Sequence, residues 1–108
     1  MKAITITKNA SVVGTHLQHE ITLPYYYIAK LFGKHQKGNY KTDAEWRLTT
    51  PFGVGIIYNY KDGENYLGKN EGLAITDLTT WYIAGKNKET GMIIMAALEA
   101  FKQGFERY

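Results

Sequence analysis

Apolar and polar residues alternate over Lys2-Ala3-Ile4-Thr5-Ile6-Thr7, the period of a strand with one buried face. After Lys8-Asn9-Ala10, the segment Ser11 to Thr15 is expected to return as a short second strand. Thr22-Leu23-Pro24 reads as a helix start, because threonine can cap and proline fits a first turn. That helix runs through Tyr25–Phe32, and Gly33 stops it. His16 to Glu20 is then a solvated polar run leading into the helix, and the lysine-bearing stretch from Lys34 to Thr42 is a loop.

The period of two returns at Ala44–Thr50, with Trp46 and Leu48 on one face and Glu45, Arg47 and Thr49 on the other. Pro51-Phe52-Gly53 is a turn, and Val54–Tyr60 is the strongest strand, with Val54, Ile56, Tyr58 and Tyr60 on one face. Together they predict a hairpin with a three-residue connection. Residues 61–72 form a glycine-bearing loop, of a length that is uncommon in a small domain unless it has a function. Thr79–Ala84 is the last strand, ended by Gly85. Over Lys88–Arg107 the period becomes helical, with Ile94, Ala97, Leu98, Phe101 and Phe105 on a core stripe. Met92, Ile93, Met95, Ala96 and Ala100 widen the apolar arc, so burial on a second side is expected, through a homo-oligomer built on the 88–107 helix. The predicted fold is α+β in one domain over 1–108. An antiparallel sheet of four or five strands carries the long C-terminal helix on one face, with a short helix near residues 23–33.

Composition narrows the function. The chain has 108 residues and no cysteine, which removes disulfides, thiolate metal sites and cysteine nucleophiles. Net charge is +3, and the only arginines are Arg47 and Arg107. Duplex-DNA binders carry a denser basic face and use the arginine fork on base edges, so duplex DNA is not the expected partner. No run of about 18 apolar residues is present to cross a membrane.

The candidate chemistry is thin. Gly63-x-x-x-x-Gly68-Lys69 approaches a phosphate-binding loop, but Asn70 replaces the magnesium-ligating hydroxyl and no helix pattern follows. His16, His19 and Glu20 lack a third or fourth ligand at metal spacing. The pairs Asp43/Glu45 and Asp62/Glu64 have nothing local to tune them as acid and base. No catalytic constellation stands out, and neither metal nor cofactor is called for. Nine tyrosines are the unusual count. Tyr58-Asn59-Tyr60-Lys61-Asp62-Gly63 leads into Glu64-Asn65-Tyr66, and Trp81-Tyr82 to Lys86-Asn87 follows the same loop. Aromatic faces stack on bases, asparagine reads base edges and lysine neutralises phosphate. The alternate strand tyrosines are read as core and rim residues, and Lys61, Asn65 and Tyr66 as the candidates for function. Tyr25-Tyr26-Tyr27 cannot all face the core of one helix, so at least one is exposed.

Leu31-Phe32-Gly33, Lys41-Thr42-Asp43-Ala44-Glu45-Trp46, Ile57-Tyr58-Asn59-Tyr60-Lys61-Asp62-Gly63, Asn65-Tyr66-Leu67-Gly68 and Thr79-Thr80-Trp81-Tyr82-Ile83-Ala84-Gly85-Lys86 occur in this order. Together they resemble a family of small bacteriophage accessory proteins over about residues 25–100. The last segment departs from that family's Trp-His-Ile-Gly-Gly pattern at Tyr82 and Ala84. The resemblance implies a place in the cytoplasm of an infected host and a role against host defence. One such class sequesters cyclic-nucleotide signals as oligomers without chemistry. On that expectation Tyr26, Tyr60 or Tyr66 stacks, Lys61 or Lys86 neutralises phosphate, and Asn65 reads a base edge. The alternatives are an inhibitor that binds a host defence or replication enzyme, and a single-strand binder using the sheet tyrosines with Lys30, Lys34, Lys37 and Lys41.

Overall fold

A computed structural model describes residues 4–106 of the protein. The order is β1 (Thr5–Ile6), β2 (His16–Thr22), α1 (Tyr25–Phe32), β3 (Gln36–Lys37), β4 (Ala44–Thr50), β5 (Gly53–Tyr58), α2 (Glu64–Leu67), β6 (Thr80–Gly85) and α3 (Lys88–Glu106). One antiparallel sheet has the order β1-β4-β5-β6-β2, with β3 also pairing β4. The α+β architecture is as expected, with six strands because β1 and β3 are two-residue pairings that flank β4. Lys2, Ala3 and Arg107 lie outside the described residues.

The register separates two faces. Trp46 pairs with Ile57 and Ile57 with Ile83, while Ile21 pairs with Trp81. These residues, with Leu48, face α1 and α3 and form the core with Leu23, Ile28, Ile94 and Leu98. The Trp46 and Trp81 rings meet edge-on at 5.4 Å. Each indole is tied to a helix terminus: Trp46 Nε1 donates to Gly33 O at 2.9 Å, and Trp81 Nε1 to Leu23 O at 2.8 Å. Both tryptophans thus bury their rings and still satisfy their one donor. Gly55 and Gly85 are register partners beneath α3. A methyl on Gly55 would come within 2.5 Å of Ile94 Cδ1, so the pair lets the helix lie close.

Among the described residues, the opposite face carries no helix. It presents Glu45, Arg47, Ile56, Tyr58, Tyr82 and Ala84, which alternate with the core residues in the register. β1 and β2 are consecutive in sequence yet lie at opposite edges, so residues 7–15 must cross the sheet. They cross on this face: Arg47 Nη1 donates to Ala10 O at 2.9 Å, and Val12 and Thr15 line a groove with Ile56 and Tyr58.

Several sequence expectations are corrected. Ser11–Thr15 is not a strand but turn, with the Thr15 hydroxyl donating to Val12 O. The strand is His16–Thr22, the run read as a solvated lead into the helix. Its alternation is broken by a bulge between Leu17 and His19, which puts Leu17 opposite Ala84 on the open face and Ile21 opposite Trp81 on the core face. Thr22 therefore ends a strand and caps nothing, and α1 begins after Pro24 without a side-chain cap. The hairpin connection is Pro51-Phe52, two residues, because Gly53 already pairs with Thr50. The second hairpin strand ends at Tyr58, not Tyr60. On α3, Ile94, Ala97 and Leu98 are buried as expected, but Met92 is 52% exposed and Ala96 and Ala100 are also exposed. Within the chain the helix is buried on one side only.

Candidate functional site

The open sheet face holds a groove in two adjoining parts of about 240 and 340 Å³, which share Leu17 and Tyr58. Its floor comes from β5 and β6, with Tyr58 and Tyr82 tilted together at 5.8 Å between ring centroids. Leu17, 61% exposed on edge strand β2, forms one wall. The strap of residues 7–15 and the Glu45–Arg47 pair, 2.7 Å apart, close the far end. Burial and the nearby Tyr60 and Tyr82 push the Tyr58 phenol up; burial, with Glu20 and Asp62, does the same to Tyr82. Both stay protonated at neutral pH and can donate hydrogen bonds.

At the other end the floor runs into a tyrosine–lysine cluster. Tyr60, 42% exposed, belongs to the groove. The Lys61 ammonium lies 5.2 Å from the Tyr60 ring centroid and 5.1 Å from that of Tyr66. Lys41 lies 5.1 Å from the Tyr40 ring, and its ammonium is held above the ordinary lysine range by the Tyr40 hydroxyl. Lys61 N donates to Lys41 O at 2.8 Å, so the two lysines leave the backbone side by side. Lys61 has φ of 60°, the one non-glycine residue with positive φ among those described. Such a conformation costs a side-chain-bearing residue on the order of 1 kcal/mol and persists where surrounding structure enforces it.

The enforcing structure is a buried polar hub. Asn59 is fully buried, and its Oδ1 accepts from Asp43 N at 2.8 Å and Ala44 N at 3.0 Å. Its Nδ2 donates to Asp43 Oδ1 at 3.0 Å and to Asp62 Oδ1 at 2.9 Å. Asp43 Oδ2 accepts from Asn65 N, and Asn65 Nδ2 donates to Asn39 O and Thr42 O. The hub clamps the 59–65 segment against the 39–44 segment on both sides of Lys61.

The structure thus brings together Tyr60, Lys61, Asn65 and Tyr66. The Asn65 side-chain donor is engaged with the 39–42 loop. Tyr26 is elsewhere: it is 53% exposed on the helical layer, against Tyr27 and Phe105. Lys86 follows β6 at the Val54 end of the sheet, roughly 13 Å of strand from the Tyr58 end. The near phosphate-loop glycines have other work. A methyl on Gly63 would run into the Asp43 carboxylate, one on Gly72 into the Gly63 backbone, and Gly68, with φ of 84°, ends the single-turn α2. Sequence reasoning missed Tyr40 and placed Lys41 only among the lysines of a single-strand binder, although Tyr-Lys occurs at both 40–41 and 60–61 and the repetition was the available signal. It also took Tyr58 and Tyr82 for core or rim, and they form the groove floor.

Comparison with protein-family models, curated proteins and solved structures returned no match.

Proposed function

We propose that the protein is a non-enzymatic binder of a small anionic ligand with aromatic rings, and that this ligand is a cyclic oligonucleotide. The observation that carries the reading is Lys61, in a strained backbone conformation between the rings of Tyr60 and Tyr66 at the mouth of the tyrosine groove. Phosphate would take the ammonium groups of Lys61 and Lys41, and bases would stack on Tyr60, Tyr66 and the Tyr58–Tyr82 floor. Phage origin and a role against host defence rest on the segments quoted in the sequence analysis. In the same reading the protein self-associates through the exposed side of α3, where Met92, Ala96 and Ala100 lie at helical spacing.

Titration calorimetry with cyclic dinucleotides, followed by mass spectrometry of the recovered ligand, tests this. Saturable heat, intact ligand and a loss of about tenfold in Lys61→Ala are the expected results, one charge-assisted contact being worth about 1.5 kcal/mol or more. No heat from folded protein across the panel overturns it, and turnover products overturn the non-enzymatic part. A second reading, a single strand laid along the open face, is favoured by the placement of Tyr58, Tyr60 and Tyr82 on that face. An oligothymidine titration separates the two.

A further inference from the structure

A second cavity, of about 550 Å³, shares no lining residue with the tyrosine groove. Lys8, Lys34, His35 and Lys37 line it. They arrive from separate parts of the chain: Lys8 from the strap, Lys34 and His35 from the turn after α1, and Lys37 from β3. Gln36 fixes them relative to one another. Its Nε2 donates to Lys8 O at 2.9 Å, and its Oε1 accepts from Arg47 N at 3.0 Å. His35 is held from behind by Tyr25, with Tyr25 Oη and His35 Nδ1 2.7 Å apart. That bond occupies one ring nitrogen. The Tyr25 and Trp46 rings also pack against the imidazole.

Among the described residues the only acid lining the cavity is Asp43, whose carboxylate accepts from Asn59 Nδ2 and Asn65 N and keeps its charge. Three lysines and one carboxylate therefore line the cavity, an excess of two positive charges with His35 neutral. A compact anion is what offsets that excess. The volume exceeds that of a phosphate and suits one carrying an organic substituent.

We propose that this cavity is a second ligand site, for a phosphate-class anion held by Lys8, Lys34 and Lys37 against His35. Of the Tyr60–Lys61–Asn65–Tyr66 cluster only Asn65 reaches this wall, its side-chain donor held by the 39–42 loop, and the site does not depend on what the groove binds. His35 is its built-in reporter. Burial and the charge of Lys34 now hold the imidazole below its ordinary range, and a bound dianion reverses the second of these causes. The groups facing the ring are Lys8, Lys34, Lys37, Asp43 and Tyr25; His16 and His19 lie on β2 at the far sheet edge.

The experiment is an NMR titration of the three histidine rings at constant ionic strength, in a buffer without phosphate. One arm adds inorganic phosphate and another a nucleoside monophosphate, so that a free ion and a phosphorylated organic ligand are distinguished. A Tyr60→Ala/Lys61→Ala variant is run beside the native protein to separate this site from the groove. The expected result is a saturable upward movement of the His35 titration with His16 and His19 unmoved. Apparent affinity should fall about fivefold or more in Lys34→Ala and in Lys37→Ala, as for loss of one charge contact, and stay unchanged in Lys88→Ala. Tighter binding of the monophosphate in the Tyr60→Ala/Lys61→Ala background identifies the organic phosphate as the ligand class. All three histidines moving together, or no saturation, overturns the site. A His35 response indifferent to Lys34→Ala and Lys37→Ala overturns the lysines as its ligands.

Discussion

Lys61 shows how one residue can carry both a cost and a purpose. Its left-handed backbone is one glycine would adopt freely, yet the position presents an ammonium between two rings. Lys61→Gly should relieve the local strain. After the extra entropy glycine has in the unfolded chain, a gain of about 0.5 kcal/mol in unfolding free energy remains. Ligand heat should weaken in the same variant. Urea denaturation and calorimetry read the two effects, and a variant that is both less stable and equally active would mean that the conformation is neither strained nor functional. His35 makes a residue-scale prediction with a definite sign. Its folded pKa is lowered by burial and by Lys34, so below about 6.5 the unfolded chain takes up the proton more readily. The stability tied to His35 is complete above the unfolded value and declines as pH falls below it, levelling once pH is under the folded value. In buffers free of phosphate, thermal stability should drop on acidification through that window, and His35→Gln should flatten the drop. Lys61 was a candidate from its sequence setting, but neither its backbone strain nor the surroundings of His35 were legible there. A φ value and a hydrogen bond to Tyr25 depend on segments that meet only in the fold, whereas Gly33 as the stop of α1 followed from local backbone chemistry alone.

At the scale of elements, legibility tracked how much of each segment's environment its own neighbours supply. β4 and α3 were readable because each has a clear face: Trp46 and Leu48 alternate, and Ile94, Ala97 and Leu98 recur at helical spacing. β2 was not, because it is an edge strand of mostly polar residues whose bulge changes the face in mid-course. The bulge serves packing. It turns Gln18 toward α3, where Nε2 donates to Gly85 O at 3.2 Å and to Asn87 O at 2.8 Å. Asn87 in turn caps α3 by accepting from Thr90 N at 2.9 Å. Gly91, in the first turns of the helix, lies against the buried Gln18 Oε1. Helix propensity alone says Gly91→Ala gains about 1 kcal/mol. The added methyl would run into Gln18 Oε1, so packing decides the sign: a loss of about 1–3 kcal/mol in chemical denaturation is expected. A more stable Gly91→Ala would show that Gln18 can swing away at no cost.

For the molecule as a whole, the distribution of charge matters more than its sum. A net charge of +3 on 108 residues gave little reason to expect an anion site. The fold nevertheless puts Lys41 and Lys61 beside the groove and Lys8, Lys34 and Lys37 around the second cavity. The 39–44 and 59–65 segments, clamped by Asn59, carry the first group, and their Asp43 and Asn65 reach the wall of the second cavity. The two groups can therefore be counted separately by salt. A small ligand in the groove reaches two ammonium groups, so the logarithmic slope of its affinity against salt should be at most about 1.4, a loss of no more than about sevenfold between 50 and 200 mM. A single strand passing over both groups would meet five, with a slope near 3.5 and a loss of roughly a hundredfold over the same range. Calorimetry of a cyclic dinucleotide and of an oligothymidine at those two salt concentrations measures both slopes. A shallow slope for the first with negligible oligothymidine binding is the result expected of a groove that takes a small ligand. A steep slope with tight oligothymidine binding would mean that a single strand runs from the groove past the sheet edge to the second group of lysines.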